Sequence, residues 1–240
     1  MNTINFDSGR CKMIAHRGAS GLERENTCAA FVVAGVKSYF GIETDVHVTA
    51  DGRYILSHDS NLERVSGIDI QIEKSPFDLL RGVPLLDTDG KSNRSDLFPP
   101  PLEDYVQICH KYGKMAVLEL KDLVEEKHID GIVETIRDLD HLDQTIFTSF
   151  VSDNLICLRR MLPKQDIQLL VGEEIVPDTL KLLEKYRFGL DARWNKLDKD
   201  IVDKVHALGL PVNCWTVDKP EDAEKLVALG VDYMTSNILE

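Results

Sequence analysis

The sequence predicts a (β/α)₈ barrel, and two observations carry that expectation. Short β-rich runs alternate with stretches whose apolar residues recur every three or four positions, the patterns of buried strands and amphipathic helices. Counting one strand per helix-linked unit gives eight strands in 240 residues, close to the ~250 residues typical of this barrel. The chain reads as one domain over residues 1–240, with a small insertion after the second barrel strand at about residues 66–101. A doubly wound open sheet shares the alternation, so closure rests on the number of units and the length.

The barrel strands are expected at Lys12–His16, Gly41–Val48, Met115–Leu120, Thr145–Ser149, Ile167–Val171, Phe188–Leu190, Pro211–Thr216 and Asp232–Thr235. Tyr54–Ser57 is a further β-rich run. The tight-turn dipeptide Asp51-Gly52 precedes it, so it reads as a hairpin return rather than a barrel stave. Helical periodicity covers Thr27–Lys37, Leu102–Tyr112, Ile129–Leu139, Asn154–Met161, Thr179–Lys185, Ile201–Leu208 and Glu221–Leu229. Pro177-Asp178 and Pro220-Glu221 open two helices with proline and an acid at the positive end of the dipole. Glycines at 113, 209 and 230 follow the last apolar positions of three helices, one of them the helix opened at Pro220. Ser66–Pro101 breaks the rhythm, showing no clear strand and one short helix at Pro76–Leu80, with a tail from Asp87 rich in Asp, Ser, Asn and Pro.

Composition narrows the function classes. The chain has 43% hydrophobic residues, and its 41 acidic against 28 basic side chains give a net charge of −13. The first figure is that of a globular protein. The second excludes a sequence-independent nucleic-acid binder and charge-driven binding to an anionic membrane. No run approaches the ~20 apolar residues of a membrane span, so stable membrane insertion is not expected. Met1–Lys12 lacks the apolar run of a signal peptide. The five cysteines are scattered without a C-x-x-C pair. Reduced, mostly buried thiols and a cytoplasmic location follow as expectations.

The unusual polar residues fall where strands of such a barrel end, at the face that carries active sites. His16-Arg17-Gly18 follows the first strand, Glu43 and Asp45 share one face of the second, and His58 follows the hairpin return. Glu119 and Lys121 share a face at the end of the third barrel strand, and Trp215 lies at the end of the seventh. Taken singly, each is an ordinary rim residue. Three carboxylates on one face of a buried sheet, however, need a cation. An E-x-D pair plus a third acid is an oxygen-donor set suited to Mg²⁺ or Ca²⁺, and Arg17 and Lys121 beside it make the site suitable for phosphate. His47 shares the face of Glu43 and Asp45, where core packing is an equal alternative; His110, His128, His141 and His206 are expected at the surface.

The runs HRGASGLERENTCAAFVVAG (16–35), IETDVHVTADGRYILSHDSNLERVSG (42–67) and LELK (118–121), with TSF (148–150), VNCWTVD (212–218) and LGVDYMTSN (229–237), resemble the glycerophosphodiester phosphodiesterase family. The resemblance spans nearly the whole chain in order. It implies a (β/α)₈ barrel with an insertion after its second strand and hydrolysis of small-molecule glycerophosphodiesters to an alcohol and glycerol 3-phosphate. It also implies a divalent ion on Glu43, Asp45 and Glu119, acid–base catalysis by His16 and His58, phosphate contacts from Arg17 and Lys121, and Trp215 beside the glycerol or leaving group. The nucleophile is then water, or a glycerol hydroxyl that forms a cyclic phosphate first. Two positions depart from the pattern: Arg24 replaces the proline before E-N-T, and Thr235-Ser236-Asn237-Ile238 replaces T-D-x-P. The competing readings are a phospholipase-D-like barrel acting on lysophospholipids or sphingolipids, which predicts an apolar loop beside the pocket, and a barrel that only binds phosphodiesters.

Overall fold

The computed structural model describes residues 2–240. Its strands are β1 (Lys12–Ala15), β2 (Gly41–Val48), β3 (Tyr54–Leu56), β4 (Met115–Leu120), β5 (Thr145–Ser149), β6 (Asp166–Val171), β7 (Gly189–Arg193), β8 (Val212–Trp215) and β9 (Tyr233–Ser236). All except β3 pair in parallel, in the order β1-β9-β8-β7-β6-β5-β4-β2, and β1 also pairs with β2, which closes an eight-stranded barrel. β3 runs antiparallel to the end of β2, with Val46 opposite Leu56, as expected of a hairpin return.

The helices are α1 (Cys28–Gly35), α2 (Glu63–Ser66), α3 (Phe77–Arg81), α4 (Leu102–Tyr112), α5 (Glu126–Asp138), α6 (Ser152–Met161), α7 (Pro177–Tyr186), α8 (Lys199–Ala207) and α9 (Pro220–Leu229). The longer ones wrap the barrel by the spacing the sequence shows. α4 buries Leu102, Tyr105, Val106 and Cys109, and α5 buries Ile129, Ile132, Val133 and Ile136, each at i, i+3, i+4 and i+7. Each such side chain contributes about 1.5–3 kcal/mol of burial. Pro177 and Pro220 stand in the first turns of α7 and α9. Gly113 and Gly230 cap α4 and α9 in the left-handed conformation.

Two expectations are corrected. The sixth barrel strand, β7, lies at Gly189–Arg193 rather than Phe188–Leu190. Asp191 and Arg193 hid its outer half, because local pattern does not show that β8 pairs Asp191 with Asn213 and Arg193 with Trp215. His141 is not a surface residue. It is buried, with Nε2 3.0 Å from the Lys114 carbonyl, and so helps join the end of α5 to the start of β4.

The segment after β3 builds its own small core from Ile55, Leu62, Val65, Ile72, Phe77, Leu80, Val83, Leu85 and Leu97. The Leu85 amide donates to the Leu97 carbonyl at 2.9 Å, and the Leu56 amide donates to Pro100 at 3.0 Å, which ties this segment to the hairpin. Arg24, at the position where the family pattern has proline, donates to the Leu86 carbonyl at 2.5 Å and to Asp87 at 2.6 Å. That contact fastens the loop after β1 to the insertion. Among the described residues all five cysteines are free, four of them buried, and no helix is long and apolar enough to cross a membrane.

Candidate active site

A cavity of about 120 Å³ opens at the C-terminal ends of the strands, with His16, Glu43, His58, Glu119, Asp191 and Trp215 in its walls. Its floor is Glu43 and Asp45 from β2 and Glu119 from β4, all buried, with one carboxylate oxygen of each within 4.8 Å of the others. Strand pairing sets Asp45 opposite Glu119, so register rather than sequence distance brings these acids together.

Two cations lie against this charge. Lys121 Nζ sits 2.8 Å from Glu119 and 3.4 Å from Asp45. Arg17 Nε sits 3.6 Å from Asp45, while the Arg17 amide donates to Glu43 Oε2 at 2.8 Å. Burial pushes Asp45 up, but Lys121 and Arg17 outweigh it and hold that carboxyl below its ordinary value. Glu43 is raised well above the usual range by burial and then by Asp45, and Glu119 is pushed up to about 7 by the same two causes. Asp45 Oδ1 is buried without a hydrogen-bond partner. An oxygen-only donor set with an orphaned carboxylate oxygen suits a hard divalent cation, so the three acids fit a metal of that kind.

The loop after β1 is shaped to aim Arg17 and His16. Gly18 has a φ of +77°, and a Cβ there would lie 2.7 Å from Ala30 in α1. Only glycine allows that approach. Asn26, from the E-N-T run, donates to Asp45 at 2.9 Å and accepts from the Thr44 hydroxyl at 2.7 Å, bracing the floor from behind.

The two histidines enter from different elements, after β1 and after β3, with unlike partners. His16 Nδ1 lies 2.8 Å from Asn237 Oδ1, an acceptor, so Nδ1 carries the hydrogen and Nε2 keeps its lone pair. Asp218 fixes that amide in turn, accepting from Asn237 Nδ2 at 2.6 Å and from its backbone amide at 2.8 Å. Burial and the Arg17 charge pull His16 down to about 4, so the ring is neutral at pH 7. His58 Nδ1 instead faces the Asp59 carboxylate at 2.7 Å. Asp59 bonds Arg64 at 2.6 Å, Arg64 bonds Glu25 through both terminal nitrogens at 2.8 Å, and Glu25 bonds Arg17 at 2.8 Å. Burial pushes Glu25 up, but the Arg64 bonds and the Arg17 charge win and hold it at about 2.

Thus all eight residues singled out from the sequence lie at one end of the barrel: His16, Arg17, Glu43, Asp45, His58, Glu119, Lys121 and Trp215. Trp215 donates through Nε1 to the Asp191 carbonyl at 3.3 Å and packs edge-on against half-exposed Phe150, with ring centroids 5.7 Å apart. Sequence reasoning missed Asp191, whose buried carboxyl has an unpartnered Oδ1 and is raised well above its ordinary value by burial and then by Glu119. It also missed Asn237 and Asp218. The visible signal for Asn237 was the departure from T-D-x-P, and that for Asp218 was its place in the VNCWTVD run.

Fold and site together define a (β/α)₈-barrel hydrolase. Residues 16–239 match the Glycerophosphoryl diester phosphodiesterase family, and the chain belongs to that family. A glycerophosphodiester phosphodiesterase of Caldanaerobacter subterraneus is 26% identical over 226 residues, covering 92% of this chain and 91% of the relative. An Oleispira antarctica phosphodiesterase, solved in complex with the product sn-glycerol-3-phosphate, is 27% identical with a TM-score of 0.85 over 98% of this chain and 96% of that one. A glycerophosphodiester phosphodiesterase of Parabacteroides distasonis is 26% identical with a TM-score of 0.78, covering 95% of this chain and 93% of that one.

Proposed function

We propose that this enzyme hydrolyses small glycerophosphodiesters to an alcohol and glycerol 3-phosphate, with His16 as general base and His58 as general acid. The observation that carries the reading is the unlike pair of histidine partners around one acid-floored pocket. Burial and the Arg17 charge hold His16 neutral, and the Asn237 amide oxygen takes its Nδ1 hydrogen, which leaves Nε2 a free lone pair. His58 Nδ1 lies 2.7 Å from the Asp59 carboxylate, which orients that ring. A general base must enter the reaction unprotonated, which suits His16, and the second ring then serves the leaving group.

Each step then falls to a named side chain. Arg17 and Lys121 clamp the non-bridging oxygens and offset the diester's negative charge. His16 Nε2 takes the proton of the attacking oxygen, and His58 delivers one to the departing alkoxide. Glu43, Asp45 and Glu119 would hold Mg²⁺ or Ca²⁺, which supplies further stabilisation of charge developing on the phosphoryl oxygens. Trp215 and Phe150 wall the side of the pocket where the glycerol or leaving alcohol lies. Similarity to the Oleispira antarctica enzyme, solved with sn-glycerol-3-phosphate, supports that product.

The phospholipase-like alternative expects an apolar loop at the pocket. The insertion turns Leu85 and Leu97 into its own core, which favours the small soluble substrate. Release of glycerol 3-phosphate from glycerophosphocholine, measured with a chelator and after Mg²⁺ or Ca²⁺ is restored, tests the proposal. Activity should vanish and return, and ion affinity should weaken as pH falls through about 7, because Glu119 must lose a proton to ligate. Full turnover in chelator would remove the ion from the scheme.

A further inference from the structure

A second cleft, which meets the catalytic floor at Lys121, is lined in part by His47, Glu73, Lys121, Leu123 and His128. Here a ring nitrogen of His47 and a carboxylate oxygen each from Glu73 and Asp122 lie within 4.8 Å of one another. We propose that His47, Glu73 and Asp122 form a second metal site, one that takes a borderline transition ion such as Zn²⁺, Co²⁺ or Mn²⁺.

His47 is only 3% exposed. Its Nε2 lies 3.4 Å from the His58 carbonyl, an acceptor, so the ring hydrogen belongs on Nε2 and Nδ1 is left with its lone pair and no partner. Metal-ligating histidines are oriented in this way, with the second ring N–H given to a backbone carbonyl. A buried imidazole with an unused lone pair beside two carboxylates is poorly explained as core packing.

The three donors come from three separately anchored elements. His47 is in β2. Glu73 belongs to a 3₁₀ turn at Ile72–Lys74 in the insertion, and the β2–β3 turn holds that region through Ala50 to Ser75 and Phe77 to Asp51. Asp122 follows β4, where its carbonyl accepts from the buried Asn154 side chain at 2.7 Å. Among the described residues neither Glu73 nor Asp122 forms an ion pair with a lysine or arginine. Two unneutralised carboxylates facing one lone pair make a cation site by charge as well as by donor type.

Donor chemistry separates this site from the catalytic floor. One imidazole nitrogen with two carboxylate oxygens suits Zn²⁺, Co²⁺ or Mn²⁺, whereas the oxygen-only set of Glu43, Asp45 and Glu119 suits Mg²⁺ or Ca²⁺. An ion at His47 would join the insertion to β2 and to the loop after β4.

Equilibrium dialysis of metal-free protein against Zn²⁺, with bound ion counted per chain, tests the assignment. The Glu73→Gln, Asp122→Asn double variant changes two exposed residues and should bind one ion fewer than wild type, or bind it more weakly by at least the roughly 10-fold that loss of even an outer-shell partner costs. His47→Gln should do the same. Glu119→Gln, which damages only the catalytic floor, should keep the ion at His47, so the result does not depend on the proposed reaction. Equal Zn²⁺ content and affinity in wild type and the double variant would overturn the site, as would loss of all bound Zn²⁺ in folded Glu119→Gln.

Discussion

The two rims of the catalytic pocket reach the same end by opposite means. On the β1–β9 side, His16 is fixed through an uncharged amide, with the acid Asp218 one residue further back. On the β3 side, His58 is fixed directly by a carboxylate at the end of the alternating chain Asp59–Arg64–Glu25–Arg17. The contrast shows two ways of orienting an imidazole in one barrel, one through an amide oxygen that leaves Nε2 free and one through a carboxylate.

The sharpest way to break that comparison is to remove each ring in turn. His16→Ala and His58→Ala should each lower kcat by roughly 10²–10⁴-fold on an alkyl diester. On a diester with a nitrophenol leaving group, which departs without a proton, His58→Ala should recover most of its rate and His16→Ala should not. Recovery by the His16 variant instead would reverse the assignment.

Asn237→Asp places a carboxylate against His16 and makes the two rims alike. The acid limb of kcat/KM should then move up by about one to two pH units as His16 protonates more readily. An unmoved limb would show that the amide does not set the state of the ring.

Glu25→Gln removes the anion at the centre of the charged rim. Glu25 is held at about 2, below its ordinary 4.5, so it contributes stability that is present above 4.5 and lost as pH falls toward 2. The variant should unfold more easily at pH 7, by on the order of 2 kcal/mol, and the gap should close across that acid window. Denaturant unfolding at pH 7 and pH 3 measures it.

The smallest effect belongs to the far wall, which serves neither rim. Burial and then Glu119 raise the Asp191 carboxyl well above its ordinary value, which favours its neutral form, and Asp191→Asn keeps that shape without charge. Stability should change by less than about 1 kcal/mol in thermal unfolding. A larger loss would mean that the carboxyl is ionised in the folded protein.

Much of the fold was legible because its signals are local. The periods that mark α4 and β2 lie within a few residues, and Asp51-Gly52 announces the β3 hairpin on its own. The end of β7 was not legible, since Asp191 and Arg193 look like loop residues until β8 is beside them. His141 looked exposed for the same reason. Its burial depends on the Lys114 carbonyl, 27 positions away.

By itself the sequence determined which chemical groups stand at the strand ends. Alternation along a strand is a two-residue rule, so Glu43 with Asp45 and Glu119 with Lys121 had to share faces whatever surrounded them. Only the tertiary structure decided what each group touches. His16 meets Asn237 across 221 positions of chain, and Asp45 meets Lys121 through the register of β2 against β4. The proton held by a histidine depends on charges and hydrogen bonds within a few ångströms, and closure of the barrel is what brings those neighbours within reach.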